Sequence, residues 1–459
     1  MPSILSLPPE LLAHVCSSLG SETPRPAAGH DGESGVNFQK EAQTTLYHIC
    51  LASRRLCAIA QPILYRSFHV NCKEQDDGRT VLSFARTISL RPDLAKHVTS
   101  LAFEDSVGPM DGDLDNGESL TAEDYSFFKK VAIESLGFSE ADVARFLPKR
   151  YGHIFAFADF LLGLLPNIQV LMIGQPGSGY LETLLRYRLS ALSRLEHLKV
   201  SVDDADSGYE IGSYSQFLLL PSLKRAEFEL GNLIGEYFPT KWTTEGLKLQ
   251  SIGFRGCFMD ADAATKLMQA CGALKKFSYL NWARDPAEQR ARITIPQGPE
   301  ANAAQFYEVA LLRKDTLEEL SLSFYRDPMH TTVSRLTNYM ASSAKLGSFG
   351  DFAVLRKLEI SQAICPLHPT LPPNIETFAI VDCPLSFIET IKAIILDVRS
   401  GLYPKFTSFN IFTSDPWTAI GVNDERPRSD ITEDDFLYTL DFIQQSLKPF
   451  EVKFELLDG

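Results

Sequence analysis

The sequence holds no CxxC pair, no excess of positive charge, no long apolar run, and neither an HExxH nor a GxSxG motif. Each absence removes a class of function. Lys plus Arg number 44 against 58 Asp plus Glu in 459 residues, a formal charge of -14. A chain that binds by neutralising phosphates carries the opposite sign, so nucleic acid is excluded as the expected partner. The eight cysteines, at positions 16, 50, 57, 72, 257, 271, 365 and 383, are scattered, with no Cys/His cluster at metal-ligand spacing. Reduced thiols of the cytoplasm or nucleus fit that pattern. No stretch reaches the roughly 18 apolar residues of a membrane span, and MPSILSLPPELLAHV lacks the basic start and apolar core of an export signal. The expectation is a cytoplasmic or nuclear protein with no membrane partner.

Two further segments imitate ligand loops without completing them. GQPGSG has GxxxxG spacing from Gly174 to Gly179, but Tyr180 and Leu181 follow where a phosphate loop needs Lys and Ser or Thr. DGDLDNG places Asp111, Asp113 and Asp115 at alternate positions, yet Asn116 stands where a calcium loop needs Gly and Ala122 where it needs a bidentate Glu. No metal and no cofactor is therefore expected. The nine histidines lie far apart, and a single one such as His197 inside a strand pattern is read as a packed or surface residue.

What the chain does have is a recurring pattern: an apolar residue, two spacers, an apolar residue, one spacer, an apolar residue. It reads VTSLAF, IQVLMI, LEHLKV, LKRAEF, LQSIGF, LKKFSY, LEELSL, LRKLEI, IETFAI and FTSFNI. From Ile168 the first positions are Leu195, Leu223, Leu249, Leu274, Leu317, Leu355, Ile375 and Phe406, in steps of 27, 28, 26, 25, 43, 38, 20 and 31 residues. The alternating last positions, such as Leu198 with Val200 and Leu358 with Ile360, put two side chains on one face of a short strand. Helical stretches separate the strands: LETLLRYRLSAL, DAATKLMQAC, AAQFYEVALLR, TVSRLTNYMASSA, SFIETIKAIILDV and DDFLYTLDFIQQSL. Capping-box pairs precede helical runs at Thr121/Asp124, Ser139/Asp142 and Thr432/Asp435. A last half-polar strand is expected from Phe450 through Val452 and Phe454.

A strand plus a helix cannot cover its own apolar faces, whereas stacked copies share a continuous core. The expected fold class is α/β, a curved strand and helix solenoid over residues 71–459, preceded by a small helical module over 1–70. An ordinary α/β domain with coincident strand spacing is the alternative. Residues 20–44, which contain SETPRPAAGHDGESG, are expected to form a flexible loop in the module. Residues 104–124, with eight acidic residues and no Lys or Arg, are expected as a solvated insertion.

In the module, Leu11, Leu12, Val15 and Leu19 form one stripe of a helix that opens at Pro8 and Pro9. A second helical pattern runs from Leu46 to Phe68, with Arg54 and Arg55 on its solvated side. So small a unit cannot hide its apolar surface by itself and needs a partner. LPPELL followed by LASRRLCAIAQPILYRSF resembles the F-box, and LPNIQVLMI, LSRLEHLKV and LPSLKRAEF resemble leucine-rich repeats, with Asn232, Cys257, Asn281 and Cys383 at turn-closing positions. Two departures from the F-box pattern are the insertion Gly20 to Thr44 and Leu56 where the family often has an aromatic.

The resemblance implies a non-catalytic substrate receptor of an SCF-type cullin-RING ubiquitin ligase. The module would bind a Skp-type adaptor, and through it the cullin, with Leu7, Pro8, Glu10, Leu11, Val15, Leu46 and Leu51 at the interface. An unidentified protein target would lie on the solenoid, where Glu196, His197, Lys224, Arg225, Glu318, Glu319, Arg356 and Lys357 are the solvent-facing candidates. A binding scaffold without ubiquitin chemistry, and an enzyme with an unrecognised site, are the competing readings.

Overall fold

The computed structural model describes residues 7–20, 32–71, 77–104, 121–147, 156–174, 192–202, 209–281, 301–324, 345–381, 387–413 and 433–458. The chain divides into two compact units, Met1–Asp203 and Asp204–Gly459. The sequence boundary at residue 70 falls inside the first unit, within a strand. Among the described residues, no helix is long and apolar enough to cross a membrane.

The first unit opens with three helices, α1 (Pro9–Gly20), α2 (Gly32–Ala52) and α3 (Arg54–Leu64). The expected loop over 20–44 is shorter than its composition implied, because α2 begins at Gly32. The expected helix from Leu46 to Phe68 is also interrupted. Ser53 is extended and its Oγ accepts a hydrogen bond from Leu56 N–H at 3.1 Å, so it ends one helix and caps the next. After α3 comes β1 (Ser67–Asn71), a strand that the sequence pattern hid inside the helical run. It pairs in parallel with β2 (Ser100–Glu104), which pairs with β3 (Val170–Gly174), which pairs with β4 (His197–Ser201). Between β1 and β3 lie α4 (Asp77–Leu90), α5 (Ala122–Glu134), α6 (Glu140–Phe146) and α7 (Ala156–Leu164). Two expected caps are in place: Thr121 accepts from Asp124 N–H, and Ser139 with Asp142 closes a reciprocal box.

In the second unit the strands are β5 (Tyr209–Glu210), β6 (Arg225–Glu229), β7 (Gly231–Leu233), β8 (Ser251–Arg255), β9 (Phe258–Met259), β10 (Lys276–Leu280), β11 (Glu319–Ser323), β12 (Lys357–Ser361), β13 (Thr377–Val381), β14 (Ser408–Thr413) and β15 (Lys453–Asp458). β6, β8 and β10 through β15 form parallel neighbours in chain order. β5, β7 and β9 form a small parallel sheet of their own. The helices are α8 (Ala261–Ala270), α9 (Ala303–Leu311), α10 (Ile388–Arg399) and α11 (Glu433–Leu447).

All ten occurrences of the sequence pattern are strands, and each strand starts two residues after the first apolar position. That offset has a hydrogen-bonding cause. The carbonyl of the intervening residue accepts N–H groups from two consecutive residues of the next strand: Lys224 O takes Gln250 and Ser251, Gln250 O takes Lys275 and Lys276, and Lys275 O takes Glu318 and Glu319. In-register pairing then stacks like positions. One row runs Ala226, Ile252, Phe277, Leu320, Leu358, Phe378, Phe409, and a second runs Phe228, Phe254, Tyr279, Leu322, Ile360, Ile380, Ile411, all buried. At about 1.5–3 kcal/mol for each large side chain removed from water, these rows are the main stabilising feature of the second unit.

Among the turn-closing residues, Cys257 is buried and bridges two turns. Its Sγ accepts from Gly231 N–H and donates to Phe228 O, both at 3.3 Å. Burial pushes its thiol pKa up to about 12, as expected of a structural rather than a reactive cysteine. Asn281 is buried beside β11, Asn232 lies in β7, and Cys383 falls outside the described residues. The final strand differs from its expected span. Phe450 ends a short 3-10 turn, Glu451 takes φ 58°, and the strand runs from Lys453 to Asp458 alongside β14. The segments LETLLRYRLSAL and TVSRLTNYMASSA, the acidic stretch 105–120, and the loops after Gly174 and around Asp113 lie almost wholly outside the described residues.

Candidate functional site

The three N-terminal helices pack around Cys16, Leu46, Ala60 and Ile63, with Leu19, Ile49, Cys50, Ile59 and Leu64 against that centre. Leu12 and Leu56 are buried as well. The Leu7–Pro8 segment is fixed from two sides. Arg55 donates from its guanidinium to Leu7 O at 2.8 Å, and Pro8 O accepts from the N–H groups of Leu11 and Leu12, starting α1.

With that core satisfied, each of the first two helices leaves an apolar pair in water. On α1 these are Leu11, 51% exposed, and Val15, 46%; on α2 they are Tyr47, 53%, and Leu51, 66%. Each pair is spaced i, i+4, so its members lie one above the other on a single helix face. Pro8 and Glu10 are exposed at the head of α1, and Leu7 is half-buried. Leu46 departs from the expectation. It is only 2% exposed and belongs to the centre of the module, so its side chain knits helices together and offers no docking surface. Tyr47 is the residue that the sequence reading passed over. Its i, i+4 spacing to Leu51 puts the two on one face of α2, as with Leu11 and Val15, but does not say whether that face is covered.

The second set of candidates lies at strand entrances. Glu196, Lys224 and Arg356 are exposed, while His197, Arg225, Glu318, Glu319 and Lys357 are half-buried. Among the described residues, several charges at or beside these strand entrances are matched by neighbours. Lys275 Nζ reaches Glu318 Oε1 at 2.8 Å, Lys276 Nζ reaches Glu319 Oε2 at 2.8 Å, Arg225 pairs with Glu227, and Arg356 lies 4.0 Å from Glu376. The hydrogen bond from Lys275 holds the Glu318 carboxyl below its ordinary range. Glu359, in register with Ser321 on one side and Ala379 on the other, has its pKa raised by burial, against the pull of Lys357, Lys276 and Arg255. Along the described strand entrances, acidic and basic side chains pair with one another across neighbouring strands.

A cleft of about 260 Å³ lies between the turn after β7 and α8, lined by Phe238, Pro239, Thr240, Trp242, Thr244, Lys266 and Gln269. It contains no His, Asp or Glu to act as a base or nucleophile. Lys266, its one charged residue, is tied to Asp262 at 2.6 Å and to Gly235 O at 3.0 Å. Among the described residues, no group of three or more His, Cys, Asp or Glu side chains is placed to hold a metal ion. In comparison with known proteins, the chain matches no family model and no curated protein sequence.

Proposed function

We propose that this protein is the substrate-recognition subunit of an SCF-type cullin-RING ubiquitin ligase, acting without catalytic groups of its own. The observation that carries this reading is the exposure of Leu11 and Val15 on α1 together with Tyr47 and Leu51 on α2, in a helical module whose described core is built from other residues, among them Cys16, Leu46, Ala60 and Ile63. Leaving four large apolar side chains in water has a cost, which a partner removes by covering them. The resemblance of LPPELL and LASRRLCAIAQPILYRSF to the F-box names that partner as a Skp-type adaptor.

The parallel strands of the second unit, paired in chain order with stacked apolar rows, support the leucine-rich-repeat-like solenoid as the target-holding part. The mechanism is proximity. The chain holds a target at a fixed separation from the ligase's conjugating enzyme, which raises the effective concentration of the acceptor lysine. The cytoplasm or nucleus is the compartment in which such a ligase and reduced thiols coexist.

The test is capture of the Skp-type adaptor and cullin by the intact chain beside the Leu11→Asp/Val15→Asp variant. Capture by wild type and loss in a variant that keeps its circular dichroism spectrum supports the reading. Absence of capture by both replaces it with that of an interaction scaffold lacking ubiquitin chemistry.

A further inference from the structure

The cleft beside α8 has no part in the adaptor reading, and its two walls are fixed to one another. One wall is the segment from Phe238 to Thr244, anchored by Trp242, which is buried and donates from its indole Nε1 to Ser215 O at 3.2 Å. The other is the side of α8 that carries Lys266 and Gln269. Hydrogen bonds join the walls at two places. Lys266 Nζ donates to Gly235 O at 3.0 Å, and Gln269 O accepts from Glu245 N–H at 2.9 Å and from the Arg313 guanidinium at 2.9 Å. The cleft is therefore preformed, and an occupant does not have to order it.

Size and chemistry narrow what it can hold. At about 260 Å³ the cleft falls below the roughly 300–1,000 Å³ of pockets that enclose a drug-sized ligand, and has room for about one large side chain. Its floor is aromatic: the rings of Phe238 and Trp242 lie edge to face with centroids 5.2 Å apart, beside Pro239. Its rim is polar. Thr240, Thr244 and Gln269 are exposed, and among the described residues no hydrogen bond holds their side chains. A wholly apolar occupant would strip water from these groups and return nothing. A cation is repelled by Lys266, whose Nζ lies 5.9 Å from the centre of the Phe238 ring. An anion gains little, because Asp262 already neutralises Lys266 at 2.6 Å. The occupant that fits is a neutral ring with a hydrogen-bonding tip. Lys266 has a third N–H beyond those directed at Asp262 and Gly235 O, and an indole offers it no acceptor, whereas a phenol hydroxyl both donates and accepts.

We propose that this cleft receives one tyrosine side chain of a partner protein, its ring against Phe238, Pro239 and Trp242 and its hydroxyl among Thr240, Thr244 and Gln269. A rigid aromatic anchor in a prepared pocket is the kind of contact that concentrates binding energy in few residues. The site lies in the second unit and does not depend on adaptor binding by the first.

The experiment titrates the intact chain with the peptides Gly-Gly-Tyr-Gly-Gly, Gly-Gly-Phe-Gly-Gly and Gly-Gly-Leu-Gly-Gly, followed by saturation-transfer NMR from protein to peptide. The expected result is saturation of the tyrosine ring protons, with binding about fivefold weaker for the phenylalanine peptide, which lacks the hydroxyl, and weaker still for the leucine peptide. Gln269→Trp fills the cleft from α8 and Thr240→Trp fills it from the facing wall. Each starts from an exposed position, and each is expected to abolish the tyrosine signal while circular dichroism shows the chain folded. Thr244→Val, which keeps the shape and removes a hydroxyl, is expected to narrow the preference for tyrosine over phenylalanine. Absence of saturation in the tyrosine peptide, equal binding of the tyrosine and phenylalanine peptides, or a tyrosine signal unchanged in a folded cleft-filling variant overturns the proposal.

Discussion

Lys275 and Glu318 sit at the entrances of adjacent strands, with Nζ 2.8 Å from Oε1, while the carbonyl of the same Lys275 accepts the N–H of Glu318 at 2.7 Å. One residue pair is thus joined by main chain and side chain together. The Lys275 side chain is about half exposed and that of Glu318 about a third, so solvent screening limits what the ion pair adds to the backbone bond. A double-mutant cycle with Lys275→Ala and Glu318→Ala is expected to give a coupling of no more than ~1 kcal/mol, reduced further in high salt. The sign of its pH dependence is fixed. Because the Glu318 carboxyl lies below its ordinary value of 4.5 in the folded chain, its contribution is present above that value and is lost as pH falls through the lower folded one. Urea melts at neutral and acidic pH measure this, and a coupling that strengthens on acidification contradicts it.

Leu46 and Leu51 separate packing from docking within one helix. Leu46→Ala removes a fully packed side chain and should cost the helical module about 2–5 kcal/mol. Leu51→Ala changes a solvated position and should stay within about 0.5 kcal/mol of wild type while weakening adaptor capture. Chemical denaturation followed through the module, beside the capture assay, gives both numbers. Equal destabilisation by the two substitutions would show that Leu51 is a core residue.

Asn302 caps α9 and shares a reciprocal box with Gln305, in which Asn302 Oδ1 accepts from Gln305 N–H at 3.0 Å and Gln305 Oε1 accepts from Asn302 N–H at 2.9 Å. Asn302→Ala should therefore cost about 0.5–2 kcal/mol. Asn302→Asp, which keeps the acceptor, should recover most of it in thermal melts.

Glu359 behaves oppositely to Glu318. Burial raises its pKa, so its charged form is disfavoured in the fold, and the protonated form stabilises the fold at low pH. That stability is lost as pH rises through the folded value, above the ordinary 4.5. Glu359→Gln should accordingly raise the melting temperature at pH 7, with an advantage that shrinks on acidification. A lower melting temperature at pH 7 would mean that an ion pair holds the carboxylate after all.

The strands were legible because their signal is local: LKRAEF or LRKLEI states its own two inward positions, and parallel pairing in chain order needs only the repetition of that statement. β1 was not legible. SFHVN follows directly on an α-helical pattern, and it becomes a strand because β2 offers it a parallel edge from Ser67 to Asn71. Ser53, Asp260 and Asn302 as helix caps lay within reach of sequence, since each accepts from an N–H three residues on, although Leu56, Ala263 and Gln305 at that third position do not complete a Ser/Thr–Asp/Glu box.

The sequence by itself determined the alternation of strand and helix, the inward rows, the acidic balance and the apolar character of the N-terminal helices, all of which depend on residue type and spacing. Only the tertiary structure decided which apolar residues stay in water. Leu46 and Tyr47 are adjacent and equally suited to a core by composition, yet one is buried and the other exposed. The difference is where α1 and α3 lie against α2, and no spacing within α2 specifies that.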